Sequence, residues 1–231
     1  MIKSEKGKVI VLSGLSASGK TTLAKLLSNE LGLHYVEEHK EWINKVGVIK
    51  KPLTLQQNQE KQLFFLEIFS HRQGHVNNLV NKGINVICDS DFTSSLAFNY
   101  AFKFVNPELN VYEYIKNKYI ESLEKNFIEL ADAYIFLDCT DETRNTRRSN
   151  DNLRTRNDLF FTDDFSSHER DFFVNIFGCS VNDNIVNSIC HNYNSFNDNN
   201  SEIFRKYIDT LLQNNFNNNL NKFISKIKKI N

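Results

Sequence analysis

The chain has 231 residues, 40% of them hydrophobic, which is enough to bury the core of one α/β domain. Lysine plus arginine and aspartate plus glutamate both number 28, so no overall basic surface is available for nucleic acid or an anionic membrane. The sequence shows neither a signal peptide nor an apolar run of about twenty residues, so we expect a cytoplasmic protein that does not bind membranes.

A short apolar strand, a glycine-rich loop and a helix open the chain in the order that phosphate binding requires. The strand covers Val9 to Leu12, and the helix is predicted from Lys20 to Leu31. The loop matches G-x-x-x-x-G-K-[ST], in which glycines let successive backbone N–H groups turn toward an anion at the positive end of the helix. The residues predicted to bind nucleotide phosphates are Gly14, Leu15, Ser16, Ala17, Ser18, Gly19, Lys20, Thr21 and Thr22.

Two side chains of this loop carry the chemistry. The Lys20 ammonium is expected to reach the outer phosphates, and the Thr21 hydroxyl is expected to hold Mg²⁺. The alternative is a chance match in an ordinary glycine turn, and the flanking strand and helix argue against it. The sequence therefore predicts a site for ATP with magnesium.

Acidic residues follow the second predicted strand, Leu33 to Val36. Ligands collect at the carboxyl ends of strands in an α/β sheet, so we expect the Glu37 carboxylate to face the molecule that the loop holds. Trp42, the only tryptophan, lies a few residues further on. For Glu38 alone, a solvated acidic turn is the preferred interpretation.

A long helix is predicted to begin after Thr54, a plausible N-cap with Gln57 at the third helical position, and to continue to Gly83. It carries Arg72 on an otherwise apolar face. We interpret Arg72 either as a ligand contact or as a surface residue that keeps its charged end in water.

The third predicted strand, Ile84 to Cys88, ends in two carboxylates, Asp89 and Asp91. We expect this strand to lie beside the strand of the glycine-rich loop, where Asp89 would hold the magnesium shell or accept a proton from the acceptor. A helix follows from Phe92. Another is predicted from Glu108 to Leu130, with an apolar strip that packs against the sheet.

An arginine cluster follows the fourth predicted strand, Ala133 to Leu137. Planar guanidinium groups suit phosphate oxygens, and a mobile basic segment at about 144–165 is expected to close over the nucleotide as a lid. The alternative is a solvated basic surface. The arginines of the cluster are Arg144, Arg147, Arg148, Arg154 and Arg156.

Three further elements complete the chain. Ser166 with Glu169 predicts the start of a helix through Phe177, and Ile185 to Ile189 the fifth strand. A last helix is predicted from Glu202 to Leu212, and an asparagine- and lysine-rich tail or helix at 214–231.

This order of elements resembles the P-loop nucleoside and nucleotide kinases, specifically the thymidylate kinases and deoxynucleoside kinases. The run from Asp89 to Phe98 is similar to the thymidylate kinase pattern D-R-Y-x-x-S-S-x-A-Y, and Arg72 with His75 resembles its R-x-x-H. The run from Glu37 to Trp42 resembles the deoxynucleoside kinase pattern E-P-V-x-x-W. The resemblance implies an α/β P-loop NTPase fold over 1–213, with a five-stranded parallel sheet flanked by helices and an arginine-rich lid.

Three positions depart from the family patterns. Ser90 stands where the family has the arginine that holds the acceptor, Asp91 replaces the following tyrosine, and Glu38 replaces the proline after the glutamate. The ATP half of the site is therefore well matched. The acceptor half is altered, so the acceptor is a nucleoside, a nucleotide or another small alcohol.

The resemblance implies Mg²⁺-dependent transfer of the γ-phosphate of ATP to a nucleoside or nucleoside monophosphate. Lys20, Arg147 and Arg154 would neutralise developing charge, and Thr21 with Asp89 would hold the metal. Glu37 or Asp89 would accept the hydroxyl proton of an alcohol acceptor. The residues assigned to the acceptor are Glu37, Trp42, Arg72 and Asp91.

Two other functions are compatible with the sequence. One is a kinase that acts on a different small-molecule hydroxyl, and the other is a nucleotide-binding ATPase module without a small-molecule acceptor. The kinases of the resembled family are often dimers, and an aromatic face at Phe98, Tyr100 and Phe104 permits a homodimer.

Overall fold

The computed structural model describes residues 6–38, 51–149, 162–177, 188–192, 198–213 and 219–230. Its framework is a parallel sheet of five strands in the order β2-β3-β1-β4-β5, which confirms the predicted sheet. The strands are β1 (Val9–Gly14), β2 (His34–Val36), β3 (Val86–Asp89), β4 (Ala133–Asp138) and β5 (Ser188–Asn192).

Helices flank the sheet on both faces, and a 3₁₀ turn at Pro107–Leu109 separates two of them. In chain order the helices of the described residues are α1 (Lys20–Leu31), α2 (Leu55–Val80), α3 (Phe92–Val105), α4 (Tyr112–Glu124), α5 (Asp141–Ser149), α6 (Asp163–Phe177), α7 (Asp198–Gln213) and α8 (Leu220–Lys229). Within this part of the chain, none of the helices has the length and apolar character needed to cross a bilayer.

The central strand β1 is buried on both faces because its alternate residues enter two separate cores. Val11 packs with apolar residues of α2, α3, α4, α6 and α8. Ile10 and Leu12 pack on the opposite face with apolar residues of α1 and α7. A strand that is buried on both faces has a continuous apolar sequence, as β1 does. Because β1 is the middle strand, the glycine-rich loop that follows it lies at the centre of the carboxyl edge of the sheet.

Two predicted helix termini are confirmed. Gly32 ends α1 in the left-handed conformation, with φ of 64°, and its N–H donates to the Ser28 carbonyl. Thr54 caps α2, because its side chain accepts a hydrogen bond from the Gln57 N–H.

The single helix predicted from Glu108 to Leu130 is wrong at both ends. It begins as the 3₁₀ turn, and α4 ends at Glu124 because Asn126 takes a left-handed φ of 58°. The Phe127 N–H then bonds the Ser122 carbonyl at 2.9 Å, which closes the helix end and leaves the Phe127 side chain 59% exposed instead of packed on the sheet.

The start of α6 also differs from the prediction. It begins at Asp163, where the Thr162 hydroxyl accepts a hydrogen bond from the Phe165 N–H. Ser166, the predicted cap, lies inside the helix and is buried. The local pattern of Ser166 with Glu169 is a cap signal, but both side chains contribute to tertiary interactions instead.

The aromatic face of α3 packs against α6 of the same chain. The ring centroids of Phe98 and Phe165 are 5.4 Å apart, and those of Tyr100 and Phe172 are 5.6 Å apart. Phe104 is 45% exposed and stacks on His168 at 3.9 Å. All three residues that suggested a dimer surface therefore contact α6 of the same chain, and Phe104 is the one of them that is largely exposed.

Residues 219–230 of the predicted tail form α8 and its flanks, and α8 packs on the core. Its apolar side chains Phe223, Ile224 and Ile227 are buried. The buried ammonium of Lys116 on α4 donates to the Ile230 carbonyl at 3.1 Å, which holds the end of this helix to the domain.

Candidate functional site

The glycine-rich loop leaves β1 in a conformation that depends on Gly14. Its φ is 137°, and a Cβ placed there would lie 2.1 Å from the Leu137 carbonyl oxygen of the neighbouring strand. Gly19 precedes α1 with a φ of 99°, and the Ser18 N–H bonds the Leu15 carbonyl at 3.2 Å. The loop therefore curls over the amino end of α1, where backbone N–H groups and the helix dipole favour an anion.

Lys20 lies over this loop. Its Nζ donates to the carbonyl oxygens of Gly14 at 2.9 Å and Leu15 at 2.8 Å. The ammonium is thereby held at the point where the loop and α1 meet. A phosphate chain seated on the loop amides would receive its counter-charge there.

Thr21 and Asp89 meet at the sheet edge, as the sequence predicted for a magnesium site. Asp89 pairs in register with Leu12 of β1, and its Oδ2 accepts a hydrogen bond from Thr21 Oγ1 at 2.5 Å. Asp89 is 1% exposed, and its Oδ1 has no hydrogen-bond partner among the described residues. Burial raises the pKa of Asp89, an effect that Lys20 and the Thr21 hydrogen bond oppose.

This pair fits Mg²⁺. Hard oxygen ligands from one or two protein groups, completed by waters and phosphate oxygens, are the usual coordination of this ion. Across the residues described, no cluster of three or more histidine, cysteine, aspartate or glutamate side chains offers a cage for a metal. The Thr21 hydroxyl and the Asp89 carboxylate, with its orphaned buried oxygen, are therefore the groups that the described residues would offer to a magnesium ion.

Side chains at the carboxyl end of β2 also lie near Asp89, and their roles differ from those that the sequence predicted. Tyr35 OH lies 3.5 Å from Asp89 Oδ2, and burial followed by the charges of Asp89 and Glu37 raises the pKa of Tyr35. Glu38, interpreted from the sequence as a solvated turn residue, contributes to the raised pKa of Asp89, after burial. Both glutamates therefore act electrostatically on this edge, and Tyr35 is a site residue that the sequence analysis missed.

Arg72 is almost fully buried, with 4% of its side chain exposed. Its guanidinium donates to the carbonyl oxygens of Ser90 at 2.6 Å, Asp89 at 3.1 Å and Val36 at 3.3 Å. It therefore joins the carboxyl ends of β2 and β3 and supports Ser90, whose φ of 68° is unusual for a residue with a side chain. Its contact with an acceptor stays a prediction.

Replacing Arg72 with methionine is expected to lower the free energy of unfolding by about 3 kcal/mol, because three buried carbonyls lose a charged donor. Urea unfolding measures the change. The matched variant His71→Met, at the exposed neighbouring position of α2, should change stability by less than about 0.5 kcal/mol. Equal effects in the two variants would contradict the assigned role of the Arg72 contacts.

Asp91 caps α3. One carboxylate oxygen accepts hydrogen bonds from the Thr93 N–H and hydroxyl, and the other accepts one from the Tyr134 hydroxyl at 3.0 Å. Burial raises the pKa of this carboxyl group, and the three hydrogen bonds oppose that effect. The structure thus gives Asp91 a helix-capping role that its assignment to the acceptor did not include.

The arginines of α5 contact the backbone of the glycine-rich loop. Arg147 Nη1 donates to the carbonyls of Ala17 at 3.2 Å and Ser18 at 2.9 Å, and Arg144 Nε donates to the carbonyl of Ser16 at 3.1 Å. The predicted proximity of the cluster to the loop is therefore observed for these two arginines. Trp42, Arg154 and the middle of the predicted lid lie outside the described residues.

Glu169 on α6 is a further group at this site. Removal from water raises its pKa to about 7, while the nearby charges of Lys20, Arg144 and Arg148 lower it. The sequence pointed only to a helix cap at this residue. Nothing in the local pattern could have placed it beside the loop, because its position depends on how α6 packs.

No family model matches the chain. Among curated proteins it is 35% identical over 103 residues to the thymidylate kinase of Plasmodium falciparum, covering 41% of this chain and 49% of that one. It is 26% identical over 186 residues to the thymidylate kinase of Buchnera aphidicola, covering 74% and 79%. It is 27% identical over 125 residues to the lactate racemization regulatory protein of Lactiplantibacillus plantarum, covering 52% and 57%.

The matched part of the chain spans about half the length of the Plasmodium falciparum and Lactiplantibacillus plantarum relatives. Among solved structures, deoxyadenosine kinase from M. mycoides superposes with a TM-score of 0.60 at 16% identity, covering 87% of this chain and 99% of that one. Thymidylate kinase from Candida albicans gives 0.62 at 17% identity, covering 89% and 92%. The structural neighbours show the fold. The thymidylate kinase relatives support the P-loop nucleoside and nucleotide kinase family that the motifs indicated.

Proposed function

We propose that the protein is a kinase that transfers the γ-phosphate of ATP, with Mg²⁺, to a nucleoside or a nucleoside monophosphate. The observation that carries this proposal is the meeting of Thr21 with the buried carboxylate of Asp89 beside Lys20, at the mouth of the glycine-rich loop. Thymidylate kinase relatives and the structural likeness to deoxyadenosine kinase and thymidylate kinase support it.

In the ATP half of the site, the chain supplies positioning and charge. Backbone N–H groups from Leu15 to Thr22 bind the phosphates, and Lys20 neutralises charge on the outer ones. Thr21 and Asp89 would hold the magnesium ion, which when bound neutralises charge on the phosphate oxygens. Arg147 and Arg154 would stabilise the charge that spreads over the transferred group.

In the acceptor half, the carboxyl ends of β2 and β3 provide the residues. Glu37 would accept the proton of an alcohol acceptor, with Asp89 as the alternative base. A monophosphate acceptor already carries a negative oxygen and needs no strong base. Trp42 and Arg72 would contact the acceptor. Asp91, which caps the start of α3, would also lie at the acceptor site.

Replacing Asp89 with asparagine is expected to lower the turnover number by about 10²-fold or more, because the carboxylate that faces Thr21 is lost. The half-saturating magnesium concentration should rise as well, and both are measured by varying MgCl₂ at saturating ATP. Asp132→Asn is the matched control, since Asp132 accepts a hydrogen bond from Val9 N–H at the opposite edge of the sheet. An unchanged magnesium dependence in the Asp89 variant would remove this residue from the metal site.

The proposed reaction is tested by ADP release from ATP and magnesium with a panel of deoxynucleosides, their monophosphates and other small alcohols. We expect turnover that depends on a deoxynucleoside or a monophosphate. Turnover with only another alcohol would favour a kinase that acts on a different small-molecule hydroxyl. The replacement of the family arginine by Ser90 is compatible with such an acceptor.

A nucleotide-binding regulatory module is the second candidate, because one relative is named a regulatory protein. Such a module would bind ATP and hydrolyse it slowly, without dependence on an acceptor. The same panel separates the two candidates, since only the kinase responds to an added acceptor.

The proposal includes a cytoplasmic location, where ATP and nucleotides are available. A homodimer through α3 stays a prediction: the aromatic residues Phe98, Tyr100 and Phe104 contact α6, and Phe104 is the one that is largely exposed.

A further inference from the structure

One arginine of α5 contacts the glycine-rich loop, α6 and its own helix through a single buried guanidinium. Arg144 is 1% exposed. Its Nε donates to the Ser16 carbonyl at 3.1 Å, its Nη1 to Asp141 at 2.8 Å and its Nη2 to the Ser166 hydroxyl at 2.7 Å. A buried charge is tolerated only when it is paired and hydrogen-bonded, so these contacts depend on one another.

The contact with Ser16 affects the direction of the loop amides. A peptide bond is planar and trans, so the carbonyl of one residue and the N–H of the next point in opposite directions. Arg144 holds the Ser16 carbonyl on the side of α5, while Arg147 holds those of Ala17 and Ser18. The N–H groups of Ala17 and Gly19 are thereby directed away from α5. Ala17 has a φ of 63°, which these fixed carbonyls help to maintain.

The contact with Ser166 connects the loop to α6. Ser166 is fully buried, and Arg170, one turn further along α6, pairs with Asp138 at 2.7 Å and Asp141 at 3.4 Å. The Asp141 carboxylate therefore pairs with both Arg144 and Arg170. The result is a continuous polar network from the loop through α5 to α6, and Arg144 is the member that contacts all three.

We propose that Arg144 is a positioning residue that holds the glycine-rich loop in its phosphate-binding shape and makes that shape depend on the docking of α6. The inference rests on the proposed function only in that the loop binds ATP. Arg144 acts through the loop backbone, so its removal should weaken ATP binding without changing recognition of the acceptor. The Ser166 hydroxyl is the link that transmits the position of α6.

The test compares three variants of the full chain: Arg144→Met, Ser166→Ala and, as a matched control, Arg205→Met, whose guanidinium pairs with Glu30 between α7 and α1. Calorimetry with ATP and MgCl₂ gives the dissociation constant. Steady-state rates give the KM for ATP, the KM for the acceptor and the turnover number. Hydrogen exchange reports protection of the loop amides.

Loss of the charge-assisted contact in Arg144→Met should raise the ATP dissociation constant about tenfold or more, and Ser166→Ala about threefold. Both variants should raise the KM for ATP, leave the KM for the acceptor unchanged and exchange the loop amides faster. Arg205→Met should do none of these. If Arg144→Met does not fold, Ser166→Ala decides, because it removes only one hydroxyl.

ATP affinity within twofold of wild type in a folded Arg144→Met or Ser166→Ala protein would overturn the inference and leave a merely structural role. Wild-type protein that fails to bind ATP would instead overturn the proposed function. The two failures are therefore distinguishable in one set of titrations.

Discussion

Replacing Lys20 with methionine is expected to lower the rate of phosphoryl transfer about 10³-fold while leaving the fold intact. The ammonium lies over the glycine-rich loop, 2.9 Å from the Gly14 carbonyl and 2.8 Å from that of Leu15. In the proposed reaction it would meet the charge that develops on the transferred phosphoryl group. Methionine fills similar space but supplies no charge.

The measurement is the turnover number at saturating ATP, magnesium and acceptor, together with thermal unfolding. Lys25→Met is the matched control, since Lys25 lies on the exposed side of the same helix with its ammonium 5.8 Å from the ring of Tyr35. We expect the control to retain activity within about twofold. A Lys20 variant with near wild-type turnover would contradict the assignment of this loop as the catalytic phosphate site.

Replacing Gly14 with alanine is expected to lower the free energy of unfolding by about 3 kcal/mol or more, because the added Cβ has no room. It would lie 2.1 Å from the Leu137 carbonyl, which is backbone and part of the central sheet. Relief would require β1 and β4 to move apart where they pair. The loss should be measured by urea unfolding, with ATP binding as a second readout.

Gly32→Ala separates the two causes of such a loss. Gly32 also has a left-handed φ, 64°, but a Cβ there would meet nothing within 4 Å. Its replacement should therefore cost only about 1 kcal/mol, the strain of the backbone conformation. If Gly14→Ala cost no more than Gly32→Ala, close packing against β4 would not explain the glycine.

The sequence was sufficient to predict the sheet, the glycine-rich loop and the meeting of Thr21 with Asp89, because all three depend on local pattern. Glycine spacing located the loop, and the position of Asp89 after an apolar run placed it beside Thr21 once the strands were ordered. The carboxyl ends of parallel strands lie at the same edge of an α/β sheet, so residues that follow different strands become neighbours there. Gly32 and Thr54 were predictable for the same reason, since caps act within one turn.

The remaining features depend on packing between distant segments, which local pattern does not encode. Arg72 was interpreted as a ligand contact or as a surface residue; its guanidinium is buried, which contradicts the surface interpretation, and it joins two strand ends. Ser166 looked like a helix cap, yet it reaches Arg144 across 22 residues. Asn126 ended α4 through a left-handed conformation that asparagine adopts readily but does not require, so the helical period alone extended the prediction too far.

The position of α8 has a consequence for where the domain ends. Phe223 and Ile227 complete the same core that contains Val11 of the central strand, and Lys116 binds the main chain at Ile230. A chain shortened at the predicted boundary of 213 would expose that apolar surface and would leave the Lys116 ammonium with Glu113 but without the Ile230 carbonyl. Residues 219–230 are therefore part of the folded domain. Any fusion partner attached after them must leave α8 packed on the core.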